Sequence, residues 1–426
     1  MLFIPTSPRI LENIHTELID PGCRTGALVG RSRESWLSGD MGNAVAGIEK
    51  ARRTECSVHC ECRIMVTAWD VELSIRLRDL SRARRMLDTL AVAESKQATA
   101  VRHRTVPSLL RAHLALTSGD VEAATALAEA ALEAAEESGA RLWHPIGHAL
   151  LALAALRRVN ISAAMGYVTQ LGEDALLGRS LYIPGQCAWV TALVYRAKDD
   201  ISGALRLVAE LVDLGPVSRE LLLSQPGAAP WLARLALGAG ETGLAQRALR
   251  SATSLAARNP RFPTVAASAL HTRGLVENSL DYLLHAAETH RDPWARASAL
   301  EDAGTFLSAD RARHDRATEA YDRAAAGYLA SGSTYDYRRT QSKIRDLGKA
   351  ALPSLHGTQH QSAFTQLTRG EHEVAKLVAE GMTNIQVARV LSLSRHTVAF
   401  HLRKVFRKLD VSSRVELAHM WGTRTG

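Results

Sequence analysis

TRGEHEVAKLVAEGMTNIQVARVLSLSRHTVAFHLRKVFRKLDVSSRVELAHMW, residues 368–421, is the stretch on which the reading turns. Three helix starts are written into it by one device. Thr368 with Glu371, Thr383 with Gln386 and Ser413 with Glu416 each place a hydroxyl at an N-cap and an acid or amide three residues on. In such a capping box the two side chains satisfy each other's orphan backbone N–H groups. Ser394 offers a fourth start with the hydroxyl alone, and Gly381 stands where the first helix must stop in a left-handed cap. Between the caps, apolar residues recur at helical spacing: Val374, Leu377 and Val378, then Val387, Val390 and Leu391, then Val398, Leu402, Val405, Phe406 and Leu409.

Ser392-Leu393 leaves room only for a tight turn between the second and third helices. A short helix, a tight turn and a longer basic helix is the geometry that lays one helix in the major groove of DNA. The third helix carries the charge for it: Arg395, His396, Thr397, His401, Arg403, Lys404, Arg407 and Lys408 fall in one run. Residues 364–426 hold ten Lys and Arg against five Asp and Glu, a net of +5 out of the chain's formal +8. A basic stripe on so short a segment is the electrostatic footprint of phosphate binding; a merely solvated face is the plainer alternative.

In order and spacing, Leu367-Thr368, Glu371, Glu373-Val374, Gly381, Asn384, Ala388, Leu391, Ser394, Thr397-Val398, His401, Lys408-Leu409 and Ser413-Arg414 resemble the LuxR-type helix-turn-helix motif. The resemblance implies a four-helix domain over residues 367–426. Its third helix would read the major groove, and its fourth, Ser413 to Trp421, would pair two copies. By position it makes Ala399, Phe400 and Arg403 the base-reading candidates, and Asn384, Arg395, Thr397, His401 and Lys408 phosphate-contacting or positioning residues. Thr368, Lys404 and Arg407 complete the expected DNA-facing set. The chain departs from the family at two places. Gly370 stands where an arginine is usual, and Ala399 where a lysine is frequent. Ala399 and Phe400 retain only apolar contact to a thymine methyl, which leaves Arg403 to discriminate guanine.

The rest of the 426-residue chain reads as nearly all-helical, with 46% apolar residues and only 5% aromatic ones. Val121 to Glu137 and Leu244 to Ala257 are helices by propensity and period. A polar break followed by a new helix recurs about every forty residues. The breaks are Ser38-Gly39-Asp40, Arg78-Asp79-Leu80, Ser118-Gly119-Asp120, Arg158-Val159-Asn160, Lys198-Asp199-Asp200, Ala239-Gly240-Glu241, Glu277-Asn278-Ser279 and Arg313-His314-Asp315. Four residues past several of them sits a small side chain, as at Ala44, Ala124, Ala164, Ala204 and Ala245, where two helices of a hairpin can approach closely. The pattern resembles tetratricopeptide-like solenoids, with a period longer than their usual 34 residues. Stacked pairs would give a curved binding surface over residues 31–347, preceded by an irregular lead-in, 1–30, around Pro5, Pro8 and Pro21. Leu352-Pro353-Ser354 and the following Gln/His/Ser run mark residues 348–366 as a linker.

No enzymatic constellation appears: no G-x-x-x-x-G-K-[ST] loop, no H-E-x-x-H helix, no G-x-S-x-G elbow. The aspartate clusters and strand–helix alternation of a phospho-accepting receiver domain are missing too. Cys56, His59, Cys60 and Cys62 form the one chemical cluster. On a helix Cys56 and Cys60 would share a face beside His59, which suits a soft metal or a thiol couple. Cys62 would point elsewhere and no C-x-x-C spacing occurs, so incidental cysteines are expected, with no metal and no cofactor. Trp189 and Trp231 read as core anchors rather than a ligand cage, and Trp143-His144-Pro145 and Pro293-Trp294 as helix boundaries. Five cysteines without a secretory leader point to the cytoplasm, and no apolar run is long enough for a bilayer. The expectation is a dimeric, non-enzymatic transcriptional activator, with double-stranded DNA, a second copy, RNA polymerase and an unidentified effector at the repeats as partners. The alternatives are an interaction scaffold that binds DNA non-specifically, or a metal or thiol sensor on the Cys56–Cys62 cluster.

Overall fold

The computed structural model describes residues 23–54, 62–96, 102–176, 183–213, 215–351, 367–391, 393, 395–409, 411, 417, 418 and 421. The chain divides into two units, Met1–Leu347 and Gly348–Gly426, and no strand occurs among the described residues. In the first unit the helices are α1 (Arg24–Ser38), α2 (Met41–Arg53), α3 (Cys62–Arg76), α4 (Leu80–Lys96), α5 (Arg102–Ser118) and α6 (Val121–Glu137). They continue as α7 (His144–Arg157), α8 (Ile161–Leu176), α9 (Pro184–Ala197), α10 (Ile201–Asp213), α11 (Gly215–Ser224) and α12 (Ala228–Gly238). The unit closes with α13 (Thr242–Arg258), α14 (Pro263–Val276), α15 (Leu280–Thr289), α16 (Pro293–Ser308), α17 (His314–Ala330) and α18 (Thr334–Ala351). Antiparallel hairpins pair α1 with α2, α3 with α4, α5 with α6, α7 with α8, α9 with α10, α12 with α13, α14 with α15 and α16 with α17. The short α11 is inserted between two of them.

One turn builds most of these hairpins. Its middle residue is left-handed: Gly39 (φ 91°), Arg78 (64°), Gly119 (91°), Val159 (64°), Asp199 (63°), Gly240 (79°) and Asn278 (51°). The next residue's N–H reaches back five positions to close the helix end, as in Asp40 N to Ser35 O at 2.8 Å and Asn160 N to Ala155 O at 2.9 Å. In five of the seven turns that same residue also caps the second helix with its side chain, which Glu241 and Ser279 do not. The Asp40, Asp79, Asp120, Asn160 and Asp200 side chains accept from the N–H three positions on. Each break therefore ends one helix and starts another within three residues. Ala44, Ala124, Ala164, Ala204 and Ala245 are all buried where the paired helices cross.

Three boundaries differ from the sequence reading. α1 begins at Arg24, inside the expected lead-in, because Pro5, Pro8 and Pro21 all precede it and Leu28, Val29 and Trp36 give it a buried face. The last break is not Arg313-His314-Asp315: the chain turns at Ala309-Asp310, where the Asp310 carboxylate caps a short 3-10 turn that runs straight into α17. α18 is helical through Ala351, past Gly348, so it runs into the segment expected as linker. The remainder of the expected linker, 352–366, and residues 1–22 lie outside the described residues.

The hairpins do more than stack on their neighbours. The turn at Gly39 is held by α13, with Met41 N donating to Asn259 Oδ1 at 2.9 Å and Asn259 Nδ2 donating to Gly39 O at 2.9 Å. Arg76 donates to Ser224 Oγ at 2.7 Å, and Arg78 pairs with Asp292 at 2.6 Å. Arg157 Nη1 donates to Leu116 O at 2.6 Å and Ser331 O at 3.1 Å. The early hairpins are thus clamped to late ones, and the superhelix closes around an interior rather than presenting only an open curved face. In the second unit α19 (Arg369–Ala379), α20 (Asn384–Val390) and α21 (Arg395–Leu409) pack around Val374, Val378, Val387, Val398, Leu402, Val405, Leu409 and Leu417.

Candidate nucleic-acid interface

Both capping boxes within reach of description are formed. Thr368 Oγ1 accepts from Glu371 N at 3.4 Å while Glu371 Oε2 accepts from Thr368 N at 2.9 Å. Thr383 and Gln386 repeat the exchange, with Thr383 N donating to Gln386 Oε1 at 2.8 Å. Gly381 takes φ 90°, and Met382 N closes the end of α19 onto Leu377 O. The third box, Ser413 with Glu416, lies outside the described residues, as does most of the expected fourth helix. Its Leu417, Ala418 and Trp421 are helical, with Leu417 buried in the core of the unit.

α21 is set by its buried stripe. Val398, Leu402, Val405 and Leu409 face the core, one turn apart at about 3.6 residues per turn. The register positions opposite that stripe belong to Ala399, Phe400, Arg403 and Arg407, whose backbone is helical. Thr397, His401, Lys404 and Lys408 occupy one flank and are half-buried. Arg395 is the first residue of α21, Asn384 the first of α20, and Thr368 the exposed N-cap of α19. The helix therefore brings the expected set onto one element, with Thr368 and Asn384 at the starts of the two helices before it.

Lys408 has a structural role that its place in the basic run does not reveal. Its Nζ lies 2.6 Å from Glu371 Oε2, so the ammonium of α21 is tied to the capping carboxylate of α19. Glu371 is buried, and the Lys408 hydrogen bond, helped by the backbone N–H of Thr368, holds its carboxyl at about 2, against an ordinary 4.5. One cation outside the expected set stands nearby in sequence: Arg389, exposed in the last turn of α20. Gly370 leaves open space, since an added Cβ would meet only a His401 ring carbon at 3.9 Å.

A capped helix, a second short helix, a turn of a few residues and a longer basic helix, all sharing one core, define a helix-turn-helix domain. Residues 365–421 match the profile of the bacterial regulatory proteins of the luxR family, and the domain is a LuxR-family helix-turn-helix. Among relatives, the uncharacterized response regulatory protein YgeK of Escherichia coli is 46% identical over 56 residues, 13% of this chain and 38% of that protein. A nitrate/nitrite response regulator protein homolog of Haemophilus influenzae is 32% identical over 126 residues, 28% of this chain and 60% of that protein. The putative HTH-type transcriptional regulator Mb0914c of Mycobacterium bovis is 33% identical over 116 residues, 27% of this chain and 12% of that protein. The chain thus spans less than two thirds of each of these relatives.

Outside this domain the cysteine cluster cannot be placed: Cys56, His59 and Cys60 lie outside the described residues, and Cys62 is known only as the first residue of α3. Among the described residues no group of three or more His, Cys, Asp or Glu side chains is arranged to hold a metal ion. No helix among them is long and apolar enough to cross a membrane.

Proposed function

We propose that the chain is a sequence-specific, DNA-binding transcriptional regulator that acts as an activator, with signal input through its helical repeats. The observation that carries the reading is the LuxR-family helix-turn-helix at residues 365–421, whose α21 carries Arg395, Arg403, Lys404, Arg407 and Lys408 in its sequence. In this reading α21 enters the major groove. Arg403 pairs with a guanine, Ala399 and Phe400 meet apolar base edges, and Asn384, Arg395, Thr397, His401, Lys404 and Arg407 hold phosphates. Thr368 orients α19 at the backbone, and Lys408 positions α21 through Glu371 as well as adding charge. The regulatory names of the relatives support the assignment to transcription control.

Two copies pair through the fourth helix, so the site on DNA is an inverted repeat with half-sites about 10 base pairs apart. Selection of bound fragments from genomic DNA, followed by footprinting, tests this directly. The expected outcome is a symmetric footprint of two half-sites about one helical turn apart, with affinity falling about a thousandfold or more between 50 and 200 mM salt. A single unpaired half-site would remove the dimer, and no enriched sequence would remove the specific reader in favour of a scaffold with non-specific binding.

A further inference from the structure

The interior of the first unit holds a partly open cavity of about 410 Å³. That volume falls among small-molecule sites, about 300–1,000 Å³. Its walls come from the first helix of several hairpins, α5, α7, α9, α12 and α16, together with α18. The apolar wall is aromatic: Trp189 of α9, Trp231 of α12 and Trp294 of α16 line it beside Leu150, Leu153 and Leu193. Trp189 and Trp294 meet edge to face with ring centroids 6.2 Å apart. Three tryptophans from three hairpins around one cavity are a stronger arrangement than the scattered core anchors that their sequence positions suggest.

The polar wall is charged, and its carboxylates are already matched. Asp292 is held by Arg78 at 2.6 Å, and Asp336 by Arg339, Ser333 and the Trp294 indole N–H at 2.7 Å. Glu301 is held by Arg339, by Lys343 at 2.9 Å and by the Tyr328 hydroxyl at 2.6 Å. Arg157 is the exception among the lining cations. It makes no ion pair with any described carboxylate, and its two hydrogen bonds, both from Nη1, go to the neutral carbonyls of Leu116 and Ser331. Its Nε is buried with no partner, and so is the indole Nε1 of Trp189. These two are the buried unpartnered polar atoms on the lining residues, and both are donors. A buried donor left unpaired is costly, because it has given up its hydrogen bonds to water. In natural structures such groups are few, and an ordered water, an ion or a ligand commonly supplies the acceptor.

We propose that this cavity is the effector site and that it takes a small organic anion: a flat apolar or aromatic body among Trp189, Trp231 and Trp294, and a carboxylate at Arg157. The inference rests on the reading of the repeats as the signal-receiving part of the protein. Nη2 of Arg157 makes no hydrogen bond within the described residues, and a guanidinium N–H is a charge-assisted donor to a carboxylate. The tryptophan faces supply the body of the site, as aromatic walls with a few fixed polar groups do in ligand pockets generally.

The test uses the full chain and two probes of one shape, 1-naphthylacetate and the neutral 1-naphthylacetamide, titrated by calorimetry and by tryptophan fluorescence. The expected result is saturable one-to-one binding, with the anion at least tenfold tighter than the amide. Arg157→Gln should erase that difference. Because Arg157 also bridges Leu116 and Ser331, a second variant, Leu153→Trp, fills the cavity and should abolish binding of both probes with the fold intact by circular dichroism. Equal affinity for anion and amide, absence of saturable binding, or binding that survives Leu153→Trp would overturn the proposal. DNA affinity measured on the same preparations separates the two readings. DNA binding without anion binding removes the effector site alone; anion binding without DNA binding removes the regulator and leaves the site.

Discussion

Lys408 illustrates how far a single residue can be read. Its place in a basic run suggests a phosphate contact, but the ammonium is 2.6 Å from the buried Glu371 carboxylate, 37 residues away in sequence. Local spacing cannot disclose such a partner. It does disclose the capping boxes, which depend only on residues three apart and form as their sequence requires at Thr368 and Thr383. Replacing Lys408 by Met strands the carboxylate and should lower the stability of the C-terminal unit by about 2–3 kcal/mol, read by urea unfolding. The pH dependence follows from the same pair. Glu371's carboxyl is depressed from 4.5 to about 2, so the folded state gains stability above pH 4.5 and loses it as pH falls toward 2. Melting of Glu371→Gln should lack that acid-sensitive component over the same range. Gly370, exposed inside α19 with open space around it, should tolerate Ala with a gain of about 0.5–1 kcal/mol. A loss on Gly370→Ala would mean that the glycine serves something beyond the helix.

At the scale of elements, the hairpin turn is the unit of construction. The forty-residue period is legible because everything that makes the turn lies within a few residues: a left-handed middle position, a backward hydrogen bond and a capping side chain. It fails to predict the connection at Ala309-Asp310, where a 3-10 turn replaces the left-handed residue and the sequence carries a decoy at Asp315. The left-handed position is not always occupied by a residue suited to it. Val159 holds φ 64°, which costs a β-branched side chain about 1–2 kcal/mol. Val159→Gly should therefore raise the melting temperature, with a gain of about 1 kcal/mol. Gly119 makes the opposite case: an added Cβ would lie 2.4 Å from Ala330 O, at φ 91°. Gly119→Ala should lose about 2 kcal/mol or more, because the clash is with backbone of a distant turn and has nowhere to relax.

For the molecule as a whole, the sequence discloses the class and hides the closure. All-helical character follows from composition and period, and the C-terminal domain from its caps, its turn and its basic helix. The clamps that close the superhelix join Arg78 to Asp292, Gly39 to Asn259 and Leu116 to Ser331 through Arg157, partners some 200 residues apart that no local pattern links. The cavity escapes a sequence reading for the same reason, since its three tryptophans come from hairpins far apart in the chain. The central claim remains that α21 reads DNA, and Arg403 is the residue that tests it. Full-length protein and Arg403→Ala are titrated against the selected site and against random DNA at fixed salt. The account predicts that the variant loses about 1–3 kcal/mol of preference for its site while keeping most of its affinity for random DNA. An equal loss on both DNAs would assign Arg403 to the phosphates and contradict its role as the reader of sequence.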